Sequence, residues 1–509
     1  MNRRRFLALS ASAAAVAAAP AVAQQARRTG GTFISAKTTE APSLDPILEQ
    51  ALSRQRLDPL FYNRLVEWSH EGKLEPALAE SWTTSGDGKT WTFKLRSGVK
   101  YHNGDPFTSA DAKFSIERTY DPNVKTMVAT ALATIDKIDA PDATTLVVHT
   151  KKPDPLLPAR LAFYGGQIVP KKYVESVGND AFNAKPVGTG PVKFVSWTKD
   201  DKLVVEAHDG YWGGKPDFDR LVMRPIPETA PRIAALLKGE VDIITQLPAD
   251  QGERVAGTPT TRVAGALYAG LYVMAVNSKR PPLDNPLVKQ ALSFAIDREA
   301  IVKELWRGRG IVPNGPIAKG DNHYDAGLGP LPYNPSKARD LLKAAGYKNE
   351  EIIIETTVAY LSNDKQMSEA IQGMWKDAGI NAKVEVIEYS VRAQKNREKS
   401  FKGVFWSDPT STLGDPDGMM WRLLGPGGPQ DYWRHPRWDE LGNAARFSVD
   451  EKLRAQAYKE MTTIFLEHFP WLPVIQPYED YGLQKYVEFQ PNPNQQFEIR
   501  RFNFKFKRA

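Results

Sequence analysis

Residues 406 to 421 read WSDPTSTLGDPDGMMW, which puts Asp408, Asp415 and Asp417 within ten positions, between Trp406 and Trp421. Three carboxylates on one loop can bind a metal, run acid/base chemistry or hold a cationic ligand. A calcium loop of the EF-hand kind needs ligands at alternate positions and a Glu at the twelfth. Pro409, Pro416 and the missing Glu break that scheme. The seven histidines are scattered, none at zinc-ligand spacing, and His435 beside Pro436 reads as a surface residue. Asp415 and Asp417, in GDPDG, have the offsets at which Asp bonds nearby backbone amides as a turn or cap residue. A carboxylate set among aromatic rings repays its desolvation only by meeting a cation.

Other catalytic signatures are missing. GDGKTW contains the end of a phosphate loop, but Thr83 stands where its first glycine is needed. Asp87-Gly88 between two alternating segments reads instead as a hairpin turn. There is no G-x-S-x-G elbow and no H-E-x-x-H pair, and GTGPVKF and GRGIVPNG lack the later glycines of a dinucleotide fingerprint. With no cysteine in 509 residues, thiol nucleophiles, disulfides and cysteine zinc sites are excluded. The expectation is a protein that is not an enzyme and carries neither cofactor nor metal.

The elements that must position these residues are mixed. KTWTFKLR (Lys89 to Arg96) and DKLVVEAH (Asp201 to His208) alternate with period two, as strands do. Leu287 to Trp306 and Met367 to Ile380 space their apolar residues at three and four, which predicts helices. The class is α/β, with core enough for two or three domains. There are 67 basic and 60 acidic side chains, and three of the basic ones are Arg3, Arg4 and Arg5. The remainder is nearly balanced and has no basic block, which argues against nucleic acid as a partner. Residues 1–23 have a signal peptide's layout, with Arg3, Arg4, Phe6 and Leu7 fitting the twin-arginine pattern and an A-x-A site at Ala21, Val22 and Ala23. The apolar run is about 18 residues, alanine-rich and broken by Pro20, too weak for a membrane anchor.

Several blocks resemble the periplasmic solute-binding proteins of ABC importers, in the peptide- and nickel-binding family. They are Leu74 to Arg118, Pro186 to Trp197, Tyr211 to Ile244, Asn285 to Val302 and Tyr333 to Tyr347, in that order along the chain. The resemblance implies a two-lobed clamp with three structural domains. The first lobe would combine residues 24–58, 183–273 and 480–509 with an inserted domain, 59–182, and the second would span 274–479. It also implies a monomeric receptor in the periplasm that encloses a peptide or similar small ligand and delivers it to an inner-membrane ABC permease. An exported carboxylate-dependent hydrolase or a chaperone-like peptide binder is the alternative.

In peptide-binding members an aspartate on a segment similar to Gly403 to Gly418 meets the ligand's ammonium group. The resemblance therefore assigns this role to Asp408, flanked by Trp406 and Trp421, with Asp415 and Asp417 as the other carboxylates in reach. The segment similar to Ala359 to Gln372 carries an arginine for the ligand carboxylate in dipeptide binders, and here it offers only Lys365; Arg392 and Arg422 are possible substitutes. That departure leaves oligopeptides, amino-acid derivatives, opines and metal chelates open. Thr38, Thr39 and Glu40 lie on a loop similar to the first-lobe segment that approaches the ligand.

Overall fold

The computed structural model describes residues 30–48, 56–500 apart from 125, 127 and 359, and 502–507. The expected signal segment, 1–23, lies outside them. The alternating run TFISAK forms β1 (Thr32–Lys37), and the short pair β2 (Val66–Trp68) and β3 (Leu74–Pro76) follows. Next come β4 (Ala79–Thr84) and β5 (Thr90–Leu95), the hairpin expected around Asp87-Gly88. The Asp87 carboxylate accepts from the Lys89 amide at 3.1 Å, and Gly88 takes a φ of 67° that a side chain would strain. With β6 (Ile135–Asp142) and β7 (Thr145–Thr150) this hairpin makes a four-stranded sheet in the order β4-β5-β7-β6. Trp91, Phe93 and Leu95 of β5 turn inward at every second position.

The remaining strands are β8 (Val192–Thr198), β9 (Lys202–Ala207), β10 (Arg220–Pro225), β11 (Ile243–Ile244), β12 (Thr261–Leu267), β13 (Tyr272–Val276), β14 (Gly310–Ile311), β15 (Ile352–Thr356), β16 (Ala382–Val386), β17 (Val404–Ser407), β18 (Trp471–Gln484), β19 (Val487–Phe489) and β20 (Phe504–Phe506). Twelve of all the strands join in the order β16-β15-β17-β13-β18-β11-β1-β10-β9-β8, with β12 and β14 also on β18. β18 is shared between two half-sheets: Trp471 to Ile475 pair with β13, and Tyr478 to Gln484 pair with β12. The chain also passes between the halves where β12 runs into β13.

Three main apolar cores follow this division. One gathers residues of the four-stranded sheet and its helices, including Phe93, Ile116 and Leu146. Another lies around Phe33, Tyr62, Leu221 and Phe504, and the third around Met274, Trp375, Trp406 and Trp471. Leu413 is buried in the first of these, although its loop leaves the sheet of the third.

One sequence expectation changes. The apolar spacing from Leu287 to Trp306 predicts a single helix, but the α-helix Pro286–Phe294 stops and a new turn begins after Asp297, whose carboxylate accepts from the Ala300 amide at 2.9 Å. Asp297 is thus a helix-end residue, while Arg298 beside it is turned inward. The Arg298 guanidinium is buried and donates to the carbonyls of Pro473 (2.7 Å) and Ser293 (2.9 Å) and to the Ser293 hydroxyl (2.9 Å). Burial pushes its pKa down to about 9. It fastens the helix break to β18 with hydrogen bonds that no apolar side chain can replace. Arg298→Met should therefore destabilise the protein by about 3 kcal/mol or more, through carbonyls left buried without donors. Denaturant unfolding with the exposed Arg397→Met as control measures this; equal midpoints for the two variants would refute the clasp.

Candidate functional site

β17 brings the three-carboxylate loop out of the core. Its four residues VFWS are buried and pair with β13 in the register Met274 to Trp406. Trp406 faces inward: it is 1% exposed, and its Nε1 donates to Ser368 Oγ at 2.7 Å on the helix Asp364–Asp377. It anchors the strand from which Asp408 emerges. Beyond Asp408 the loop is laced to the connection between β12 and β13, through Leu271 N to Pro409 O (3.0 Å) and Ser411 N to Ala269 O (2.8 Å). Asp408 is thereby held beside one of the crossings between the half-sheets.

Tyrosines wall this point. The Tyr360 hydroxyl donates to Asp408 Oδ1, and Tyr268 bonds Thr410, whose hydroxyl donates to the Asp408 carbonyl at 3.1 Å. Tyr268 packs edge-on to Tyr272 at 6.1 Å, and Tyr272 to Trp306 at 5.8 Å. Arg392 lies over the Tyr360 ring at 3.2 Å and donates to the Trp406 carbonyl. Burial raises the Asp408 pKa, while the Tyr360 hydrogen bond and the more distant charges of Arg392 and Arg422 pull it back. Among the described residues no lysine or arginine forms an ion pair with it.

On the other side of the crossing the charges are mixed. Arg56 Nη2 meets Glu479 Oε1 of β18 at 3.2 Å and Gln495 Oε1 at 2.6 Å. Lys37, at the end of β1, is buried with its Nζ 4.7 Å over the Phe497 ring. That nitrogen and the Thr38 hydroxyl are buried without a hydrogen-bond partner among the described residues. Burial, and secondarily Arg56, hold the Lys37 pKa well below its usual value. Tyr272 joins the two sides: burial pushes its pKa up first, then the charges of Glu479 and Asp408.

The other residues singled out in the sequence fall elsewhere. Asp415 is bound by Arg454 and by the Tyr458 hydroxyl (3.1 Å), and its own carboxylate accepts from the Asp417 amide at 2.9 Å. Burial opposes its charge, but His323 and Arg454 outweigh it and keep the pKa low. Asp415 thus makes the turn bond expected of it, whereas the Asp417 carboxylate bonds no backbone amide among the described residues and meets arginines instead: Arg160, from the four-stranded-sheet region, reaches it at 2.8 Å, with Arg446 at 3.4 Å. Trp421 lines a cavity of about 550 Å³ with Arg160, Phe163, Asp417 and Arg422. Glu40 is engaged by the Trp197 indole and the Asp200 amide (3.0 Å), and Thr39 is exposed. Lys365 sits on an outer helix face, 3.7 Å from Glu369. Tyr268, Tyr272, Tyr360, Lys37, Arg56 and Glu479 escaped the sequence reading. Tyr360 and Lys37 lie in segments that the resemblance had marked, whereas Tyr268 and Tyr272 look like ordinary strand-end aromatics.

Residues 73–431 match the family described as bacterial extracellular solute-binding proteins, family 5 Middle. The chain is 31% identical over 447 residues to heme-binding protein A of Haemophilus influenzae, covering 81% of each, and 28% identical to the dipeptide-binding protein of Escherichia coli, covering 81% of this chain and 82% of that one. Among solved structures it is similar to the periplasmic binding protein DppA of Helicobacter pylori in complex with the peptide STSA, with a TM-score of 0.82, 25% identity and coverage of 94% and 99%. It is similar as well to AgaA of A. tumefaciens R10 in complex with agropinic acid, with a TM-score of 0.81, 28% identity and the same coverage. With the two half-sheets joined at β18 and a polar site at the crossing, these likenesses establish the fold as the two-lobed periplasmic binding protein clamp, and the chain belongs to the bacterial extracellular solute-binding proteins of family 5.

Proposed function

We propose that the chain is a periplasmic receptor, monomeric and without catalytic activity, that encloses a small peptide-like solute bearing an ammonium group and hands it to an inner-membrane ABC permease. Residues 274–479 move as one lobe against 24–58, 183–273 and 480–509, which carry 59–182 as an inserted domain; the three cores and the two crossings support this division. The observation that carries the reading is Asp408. It is a carboxylate of raised pKa, set among tyrosines at the crossing, bonded by a neutral hydroxyl and ion-paired to no described residue. A ligand ammonium there restores its charge. Across the crossing, Lys37, Thr38 and Arg56 supply donors for a ligand carboxylate or carbonyl. The likeness to proteins named for dipeptides, glutathione and a bound peptide supports the same solute class. A hydrolytic carboxylate pair is disfavoured, because Asp415 is committed to Arg454 and Tyr458.

The ligand retained by the purified protein, identified by native mass spectrometry, is the reagent for calorimetry. Asp408→Asn keeps the side chain's shape and removes its charge, so affinity should fall about 30-fold or more, a buried charged contact being worth roughly 2 to 5 kcal/mol. Tyr360→Phe should cost about tenfold or less, since it removes one donor from that carboxylate. An Asp408→Asn variant with unchanged affinity would sink the ammonium assignment. Because binding ionises a carboxyl whose pKa is raised, affinity should also weaken as pH falls from 7 toward 5, with proton release on binding; a flat profile contradicts it.

Asp417 has a separate role. Its contact with Arg160 joins the inserted domain to the second lobe across a buried interface, so Asp417→Asn should weaken binding by lowering the closed population. Breaking one side of a buried pair costs about 3 to 5 kcal/mol. Small-angle scattering of the loaded variant should show a larger radius of gyration than the loaded wild type. An unchanged radius together with unchanged affinity would remove the latch.

A further inference from the structure

A second cavity, of about 300 Å³, lies between the β2–β3 loop and residues 411 to 414. Its wall includes Trp68, Ala269, Asp321, Ser411 and Asn494. The turn carrying Asp321 is fixed to that segment by Asn322 N to Gly414 O at 3.0 Å and by the Ser411 hydroxyl, which donates to Asp321 Oδ1 at 2.5 Å. The other carboxylate oxygen, Oδ2, is buried and has no partner among the described residues. The same holds for three more atoms of wall residues, Trp68 Nε1, Asn494 Oδ1 and His70 Nε2, the last of which stands 3.4 Å from Glu498. Asp321 is 9% exposed, Trp68 equally so, and the Trp68 ring packs so close to Gly414 that a Cβ there would stand 2.6 Å from it. Buried polar atoms are almost always bonded, and here two acceptors and one donor, besides His70, share a single space of ligand size.

We propose that this cavity is a second recognition pocket for the solute, taking an ammonium or guanidinium side group with Asp321 as counter-ion and the Trp68 ring as wall. The proposal rests on the reading of the cleft as the solute site, because Ser411 lies three residues past Asp408, at most about 10 Å of chain. A solute filling both places is dibasic. The charges near Asp321 leave the role of counter-ion open. Asp415 is on its own side, Glu71 and Lys319 are exposed at the rim, and His70 stands 3.4 Å from Glu498. No described cation pairs with Asp321, and burial, with Asp415 adding, pushes its pKa up to about 8. A carboxyl that holds its proton at neutral pH becomes an anion when a cation enters beside it. The indole face next to it favours the same kind of group.

The test uses n-butylammonium chloride as probe and n-butanol as its uncharged counterpart, followed by calorimetry and thermal shift at pH 7. The protein is compared with Asp321→Asn, Asp408→Asn and Ala269→Leu, the last of which adds bulk to the cavity's lining. Butylammonium should bind at least about tenfold more tightly than butanol. Because Asp408 can take an ammonium group itself, the decisive comparison is made in the Asp408→Asn background: the preference should survive there and disappear when Asp321→Asn or Ala269→Leu is added, with all variants giving the wild-type circular dichroism spectrum. Equal binding of the two probes by the wild type means that the cavity holds water only, and overturns the proposal. So does a preference lost in Asp408→Asn alone, or one kept when Asp408→Asn and Asp321→Asn are combined. Because the probe is not a peptide, a failure of the peptide reading leaves this result intact, and an Asp321 failure leaves the Asp408 measurements standing.

Discussion

Everything in this molecule depends on one strand being held by two half-sheets. β18 pairs with β13 through Ile475 and with β12 from Tyr478 onward, so two residues, Gln476 and Pro477, carry the change of partner. Backbone hydrogen bonds on both sides make each half rigid and leave bending to the short crossings. Gln476 reinforces the crossing. Its side-chain amide donates to the Tyr268 carbonyl at 2.8 Å, on the other connection between the halves, and to the Lys319 carbonyl at 3.0 Å. The candidate site thus lies beside the point where both connections between the half-sheets are held together.

That placement explains the electrostatics. Asp408 and Glu479 have raised pKa values and Lys37 a lowered one, each with burial as the first cause. Groups that ionise to opposite signs thus stand on either side of the crossing, each pushed by burial toward its neutral form. Arg56 and Glu479 neutralise each other, while Lys37 and Asp408 have no such partner among the described residues. Uncompensated burial costs several kcal/mol per ion. On the function proposed above, a zwitterionic solute that presents an ammonium to one side and a carboxylate to the other would let both groups ionise without that penalty.

Much of the scaffold was legible in the sequence because its signals are local. The Asp87-Gly88 hairpin, the period-two strands and the helix over Met367 to Asp377 depend on a few neighbouring residues. Where tertiary partners decide, the local pattern misled. The apolar spacing from Leu287 to Trp306 continues across Asp297, but the carbonyl of Pro473, about 175 positions away, offers Arg298 a hydrogen bond that a continuous helix would not present. Trp406 was read as a wall beside Asp408 from adjacency alone. Residues two apart share a face only within a strand, and β17 ends at Ser407, so Asp408 leaves the strand on the loop while Trp406 stays packed in the core.

The site itself was only half legible, for a related reason. Asp408 stood out because acidic residues in a Pro- and Gly-broken loop are conspicuous, but what separates it from Asp415 and Asp417 is the partner each one meets. Arg454 lies 39 positions from Asp415, and Arg160 lies 257 positions from Asp417. Those arginines convert two of three similar carboxylates into fasteners, one to the helix Glu451–His468 and one to the four-stranded-sheet region. Asp408 meets a tyrosine instead, and a hydroxyl bonds a carboxylate without cancelling its charge. Three residues of one type, within ten positions of one another, thus differ by which long-range partner the fold delivers, and Asp408 is the one left without a cation among the described residues, which is why the proposed function rests on it.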